Sequence, residues 1–89
     1  MVERELSIVN RLGLHARAAS KFVQTAAGFD ADLKVSKDGR EVSGKSIMGI
    51  MMLAAARGSR ILVRADGPDA EAAVEALEEL VRDRFGEGE

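Results

Sequence analysis

The chain carries one histidine, His15, and no cysteine. Without cysteine there is no thiol nucleophile, disulfide framework or thiolate metal site. No metal is expected on His15 either, because one imidazole needs partner ligands and no clustered His, Cys or carboxylate pattern supplies them. What remains for the imidazole is nucleophilic or acid–base work. His15 lies in Gly13-Leu14-His15-Ala16-Arg17, between a glycine turn and an amphipathic run. A helix N-terminus offers unpaired N–H groups and a partial positive charge, which together form an anion site. Here the donors are the backbone N–H groups of Ala16 and Ala18. Arg17 can set a guanidinium against a phosphoryl oxygen. The set suits a histidine that accepts and releases a phosphoryl group. The plainer alternative is a histidine that caps the helix or sits on the surface, and the residue types leave both open.

A second segment, Gly44-Lys45-Ser46-Ile47-Met48-Gly49-Ile50-Met51-Met52-Leu53, holds three of the four methionines. A helix apolar on almost every face cannot be fully buried in so small a protein, and exposed methionines suit a surface that adapts to several partners. Ser46 reads most simply as the N-cap of this helix, without a capping box because Gly49 stands where Glu or Gln would reach back. The alternative is a phosphorylation site, since a helix N-terminus tolerates phosphate. Gly39 and Gly44-Lys45-Ser46 formally satisfy the P-loop spacing. That motif must follow a buried parallel strand and open a long helix, whereas Gly39 belongs to a hairpin signal. Nucleotide hydrolysis is not expected.

These residues are positioned by elements that hydrophobic periodicity marks. A first strand is expected over residues 4–9, with Leu6 and Ile8 inward. Ala19, Phe22, Val23 and Ala26 fall on one face of a helix over residues 16–27, which Gly28 closes. A second strand over residues 31–36 and a third over residues 40–43 flank Asp38-Gly39, a strong hairpin signal. A short helix follows over residues 47–53 and a fourth strand over residues 60–65. Gly67-Pro68 opens the last helix, with Pro68 in its first turn. Asp69 and Glu71 suit the N-terminal end of its dipole, and Arg82 and Arg84 the other end. Ala70, Val74, Leu77 and Val81 form its buried stripe, and Gly86 can stop it. The order β-α-β-β-α-β-α predicts an α+β fold, one sheet with helices packed on one face. Pattern alone does not separate it from a ferredoxin-like strand order.

With 89 residues the chain is sized for one domain, expected over residues 1–85 with a frayed polar tail over 86–89. Net charge is −2 and Phe22, Phe29 and Phe85 are the only aromatics, so no nucleic-acid partner is expected. No signal peptide is visible, and the longest uncharged stretch, Ser46 to Ala56, is too short for a membrane helix. A cytoplasmic protein without membrane insertion is expected.

Taken together, the pattern resembles the HPr family, the histidine-containing phosphocarriers of the bacterial phosphoenolpyruvate-dependent phosphotransferase system. Three stretches carry the resemblance. Asn10-Arg11-Leu12-Gly13-Leu14-His15-Ala16-Arg17 is similar to the family's active-site signature, and Gly44-Lys45-Ser46-Ile47-Met48-Gly49-Ile50 to its regulatory serine segment. Ala65-Asp66-Gly67-Pro68-Asp69 is similar to the approach to its last helix. The resemblance implies an open-faced β-sandwich, a four-stranded antiparallel sheet covered on one face by three helices. It implies a phosphoryl relay rather than a free-standing enzyme. Enzyme I, charged by phosphoenolpyruvate, would phosphorylate His15 on Nδ1, and the group would pass to a histidine of an enzyme IIA domain. Arg17 would steady the phosphoryl group. Leu14, Ile47, Met48 and Met51 would form the docking surface, and Ser46 would be the target of HPr kinase/phosphorylase. No metal or organic cofactor is implied. A monomer is the default for a carrier that must expose one face.

One departure stands out. The family usually has proline after the arginine, and this chain has Ala18. Alanine gives up the φ restriction, worth about 0.4–1 kcal/mol through the unfolded state, and keeps an N–H donor. The departure leaves open the sugar-transport branch and the nitrogen-related NPr branch. A purely Ser46-centred regulatory binding module is the remaining alternative, and His15 argues against relatives that lack the active-site histidine.

Overall fold

Period-two alternation builds the sheet. In the computed structural model, which describes residues 1–87, the strands are β1 (Val2–Ser7), β2 (Asp32–Lys37), β3 (Arg40–Ser43) and β4 (Arg60–Asp66). They form one sheet in the order β1-β4-β2-β3, with every neighbouring pair antiparallel. β4 and β2 are therefore central and β1 and β3 are the edges, which resolves the strand order that periodicity left open. Register places Leu6 opposite Ile61, Leu33 opposite Ala65 and Val35 opposite Val63. All six are buried.

Three helices cover that face: α1 (Ala16–Ala27), α2 (Ile47–Met52) and α3 (Ala70–Arg82). Ala18, Ala19, Phe22 and Ala26 of α1, Ile50 of α2, and Ala70, Ala73, Val74, Leu77 and Val81 of α3 complete the core. The opposite sheet face is charged, with Arg64 between Glu3 at 3.0 Å and Glu41 at 3.3 Å. This is the expected open-faced β-sandwich.

Local chemistry sets the boundaries. Asp38 (φ 52) and Gly39 (φ 82) make a two-residue turn with both φ positive, which fixes the β2–β3 hairpin. Arg40 donates to the Met52 carbonyl at 3.0 Å and so tethers the end of α2 to β3. The start of α3 differs from expectation. Pro68 precedes the first turn, and Asp69 is the first flanking residue. Its carboxylate turns away from the helix and accepts from the N–H groups of Asp30 and Ala31, both at 2.8 Å. The Asp30 N–H foremost, against partial desolvation, holds the Asp69 carboxyl below its usual range. α3 also stops at Arg82, before Gly86. Beyond it Arg84 (φ 56), Phe85 (φ 55) and Gly86 (φ 74) form a left-handed turn that drives the Phe85 side chain fully into the core. The polar tail expected to fray from residue 86 is tied down at Glu87, whose carboxylate has found partners in the fold. Residues 88 and 89 lie outside the described residues.

Candidate functional site

The loop leading into α1 has little freedom. Gly13 sits at φ +66, and a Cβ there would lie 2.4 Å from the Ala55 carbonyl oxygen. Only glycine fits both constraints. Leu14 donates its N–H to that same carbonyl at 2.9 Å. Asn10, fully buried, donates from Nδ2 to the Gly13 carbonyl at 2.8 Å. These bonds clamp the loop to the chain between α2 and β4.

His15 is the residue flanking α1, extended at φ −74 and ψ 177, and its ring makes no capping bond. The cap alternative is thereby removed. Its carbonyl accepts the first intrahelical bond, from Ala19 N–H at 2.8 Å. The N–H groups of Ala16, Arg17 and Ala18 precede that bond, which is the arrangement that favours anions. The Ala18 side chain is packed in the core, and Ala16 is exposed. His15 lines an open hollow of about 300 Å³ together with Arg11, Leu12, Arg17, Gly86 and Glu87. Two guanidinium groups thus share one hollow with the imidazole.

The ring is held from one side. His15 Nε2 lies 2.5 Å from Glu87 Oε2. The other Glu87 oxygen accepts from Asn10 Nδ2 at 2.9 Å. Burial on its own pushes the Glu87 carboxyl up. The hydrogen bonds from Asn10 and His15, with the charges of His15 and Lys21, outweigh it and hold the group below the usual glutamate range. His15 Nδ1 has no bonded partner among the described residues.

The second segment also takes shape. Ser46 caps α2, its hydroxyl accepting from Gly49 N–H at 3.0 Å. This is the expected cap, and the hydroxyl is only partly covered. Gly39 lies in the hairpin turn and Arg40–Ser43 in a strand, so the P-loop context is absent. Ile47, Met48, Met51 and Met52 are exposed, with Leu12 from the loop before α1. Leu14, expected on this surface, is instead 5% exposed, because its side chain faces the core where Gly13 turns the chain. The exposed leucine of the loop is Leu12, at 65%.

The sequence reading did not single out Asn10 or Glu87 as site residues, and it named Met52 only within the methionine-rich segment. Asn10 beside a glycine turn is a weak local signal, and Glu87 has none, because only the tertiary return of the tail brings it to the ring. Among the described residues no cluster of three or more His, Cys, Asp or Glu is arranged to hold a metal ion. No described helix is long and apolar enough to cross a membrane.

Comparison with known proteins gives a consistent picture. A family profile described as the PTS HPr component phosphorylation site matches residues 2–83. The phosphocarrier protein HPr of Cupriavidus necator is 52% identical over 89 residues, the whole of both chains. The phosphocarrier protein HPr of Xylella fastidiosa is 53% identical over 87 residues, 98% of each chain. Among solved structures, HPr-C-His from Thermoanaerobacter tengcongensis superposes with a TM-score of 0.94 at 46% identity, covering 98% of each chain.

Proposed function

The chain belongs to the HPr family of the phosphotransferase system, and we propose that it works there as a phosphoryl carrier, with His15 as the residue that is charged and discharged. One observation carries the reading. The only imidazole in the chain flanks a helix start, does not cap it, has Nδ1 without a protein partner among the described residues, and shares a hollow with Arg11 and Arg17.

The step balances without a cofactor. The Nδ1 lone pair attacks the phosphorus of a phosphohistidine on enzyme I. The new N–P bond forms as the old one breaks, and the electron pair returns to the enzyme I ring. Arg17 and the first amides of α1 receive the phosphoryl oxygens. The return step, to a histidine of an enzyme IIA domain, has the same chemistry in reverse. Donor and acceptor are alike, so transfer is close to thermally balanced. A few N–H donors and guanidinium groups position the phosphate without trapping it. Leu12, Ile47, Met48, Met51 and Met52 supply an adaptable apolar surface for both partners. The relay acts in the cytoplasm as a monomer.

The carrier test uses enzyme I, phosphoenolpyruvate and an enzyme IIA domain. Phosphate should reach the IIA domain only when this chain is added. Phosphate on IIA at equal rate without the chain would contradict the reading. Sugar-type and nitrogen-type enzyme I tried in parallel assign the branch.

Ser46 supports a second, regulatory role. Its hydroxyl is partly exposed beside the apolar surface. HPr kinase/phosphorylase with ATP should phosphorylate it. Partner binding that follows Ser46 phosphorylation and ignores His15→Ala would make regulation the main output.

A further inference from the structure

We propose that Met48, Met51 and Met52 form a methionine sulfoxidation site, that the oxidant is of the peroxide class, and that the sulfoxides close the apolar surface to enzyme I. The inference deepens the carrier reading and rests on it for its functional consequence.

Residue types set the chemistry. The chain has no cysteine, tryptophan or tyrosine, so no thiol, indole or phenol competes for an oxidant. The soft, polarizable groups that remain are thioethers. None of the four methionines joins the core, and each is open to solvent.

Position groups three of them. Met48, Met51 and Met52 stand at i, i+3 and i+4 on α2 and so share one side of the helix. Fractional exposure is 69% for Met48, 55% for Met52 and 38% for Met51. Susceptibility follows exposure, so Met48 and Met52 react before Met51. The anchors of α2 use none of the three sulfurs. Ile50 is its buried residue, Ser46 caps it, and Arg40 holds the Met52 carbonyl. Oxygen can be added at sulfur without removing any of these contacts.

Met1 supplies an internal contrast. It is 74% exposed but lies on the charged sheet face, where its sulfur accepts from Arg64 Nη2 at 3.7 Å. Its oxidation leaves the helical face untouched.

The step balances with hydrogen peroxide as oxidant. The sulfur lone pair attacks one peroxide oxygen, and the S–O bond forms as the O–O bond breaks. The departing hydroxide takes the proton from the transferred oxygen and leaves as water. Sulfur gives up two electrons and the peroxide gains them. Sulfoxide reductases reverse the change, releasing the oxygen as water while two thiols become a disulfide. Each sulfoxide sets a polar acceptor among Leu12, Ile47 and its neighbours on α2. A docking partner that covers this surface with apolar groups must then bury that oxygen without a donor.

The test treats the full-length chain with hydrogen peroxide, maps the added oxygen by peptide mass, and measures charging by enzyme I with phosphoenolpyruvate. A chain carrying Met48→Leu, Met51→Leu and Met52→Leu is treated alongside. Leucine keeps the apolar volume without the thioether. Each chain is compared with its own untreated rate. The parent should gain oxygen at Met48 and Met52 first and at Met51 later, with unchanged circular dichroism. Its KM for charging should rise about tenfold with kcat little changed, equivalent to about 1.4 kcal/mol. Sulfoxide reductases of both epimer specificities should restore the untreated KM. The leucine chain should keep its own KM although Met1 is oxidised in both. Unoxidised α2 thioethers beside an oxidised Met1 would overturn the proposal. So would an unchanged KM with all three oxidised, an equal loss in the leucine chain, or a loss of circular dichroism on treatment. If the untreated chain accepts no phosphate, the carrier reading fails and the switch falls with it, while oxygen mapped to Met48 and Met52 still supports the modification site.

Discussion

Arg17 and His15 line one hollow from neighbouring positions, one at the helix start and one just before it. Arg17 is exposed and contributes nothing to the core, so Arg17→Ala should leave the melting temperature within a degree or two of the parent while slowing transfer about tenfold, through the loss of a charge-assisted contact. A substantial loss of stability in that variant would mean that Arg17 is structural. Glu87 offers a prediction in pH. Its carboxyl is held below the usual range in the folded protein. The stability it contributes is therefore fully present above the unfolded value of about 4.3 and is lost as pH falls through the depressed folded value. Melting curves of the parent and Glu87→Gln should differ at neutral pH and converge on acidification through that window. At this scale the sequence made His15, Arg17 and Ser46 visible, because their chemistry is local to a helix start. Asn10 and Glu87 stayed hidden, since their contact exists only once residues 77 positions apart are joined.

Helix starts place both candidate modification sites, but by different means. Ser46 spends its hydroxyl on the cap. Removing it in Ser46→Ala should cost about 1 kcal/mol, readable by denaturant titration. Asp is as good an N-cap and suits the dipole, so Ser46→Asp should fold normally. If the apolar surface docks enzyme I as proposed, Ser46→Asp should nonetheless slow phosphorylation of His15, because it adds charge beside that surface. Equal rates for Ser46→Asp and the parent would contradict the docking role of α2. Gly13→Ala should be destabilised by about 1–3 kcal/mol, since φ +66 and the Ala55 carbonyl both oppose a side chain there. Element positions were legible to within about two residues, except at the end of α3, which stops at Arg82 short of the expected Gly86, since a 3.6 or 2.0 period survives in any fold. The failures have local causes. The Asp69 carboxylate found stronger partners in the Asp30 and Ala31 amides than in its own helix. Leu14 faces inward because Gly13 reverses the chain, and a hydrophobic residue beside a histidine does not announce which way it points.

The whole molecule divides into a charged sheet face, a buried layer and a helical face with the two candidate sites side by side. The sheet face is laced by Arg64 and its glutamates, pairs that add little stability. The helical layer carries the imidazole hollow and the exposed methionines of α2. A chain of this size has room for one such face, so a carrier must meet its donor and its acceptor there in turn. Donor and acceptor should therefore compete. An enzyme IIA domain added in excess should inhibit charging of this chain by enzyme I, and independent binding would contradict a shared surface. Composition and length already excluded most other classes of chemistry, whereas the return of the tail over the hollow depends on Phe85 seating in the core and could not be read from a polar terminal stretch. The central claim, that His15 accepts the phosphoryl group, is tested most directly by intact-mass analysis after incubation with enzyme I and phosphoenolpyruvate, with His15→Ala alongside. A single phosphate that is acid-labile, base-stable and absent from the variant is the predicted result. Phosphate that persists in His15→Ala, or none on the parent with either type of enzyme I, would contradict it.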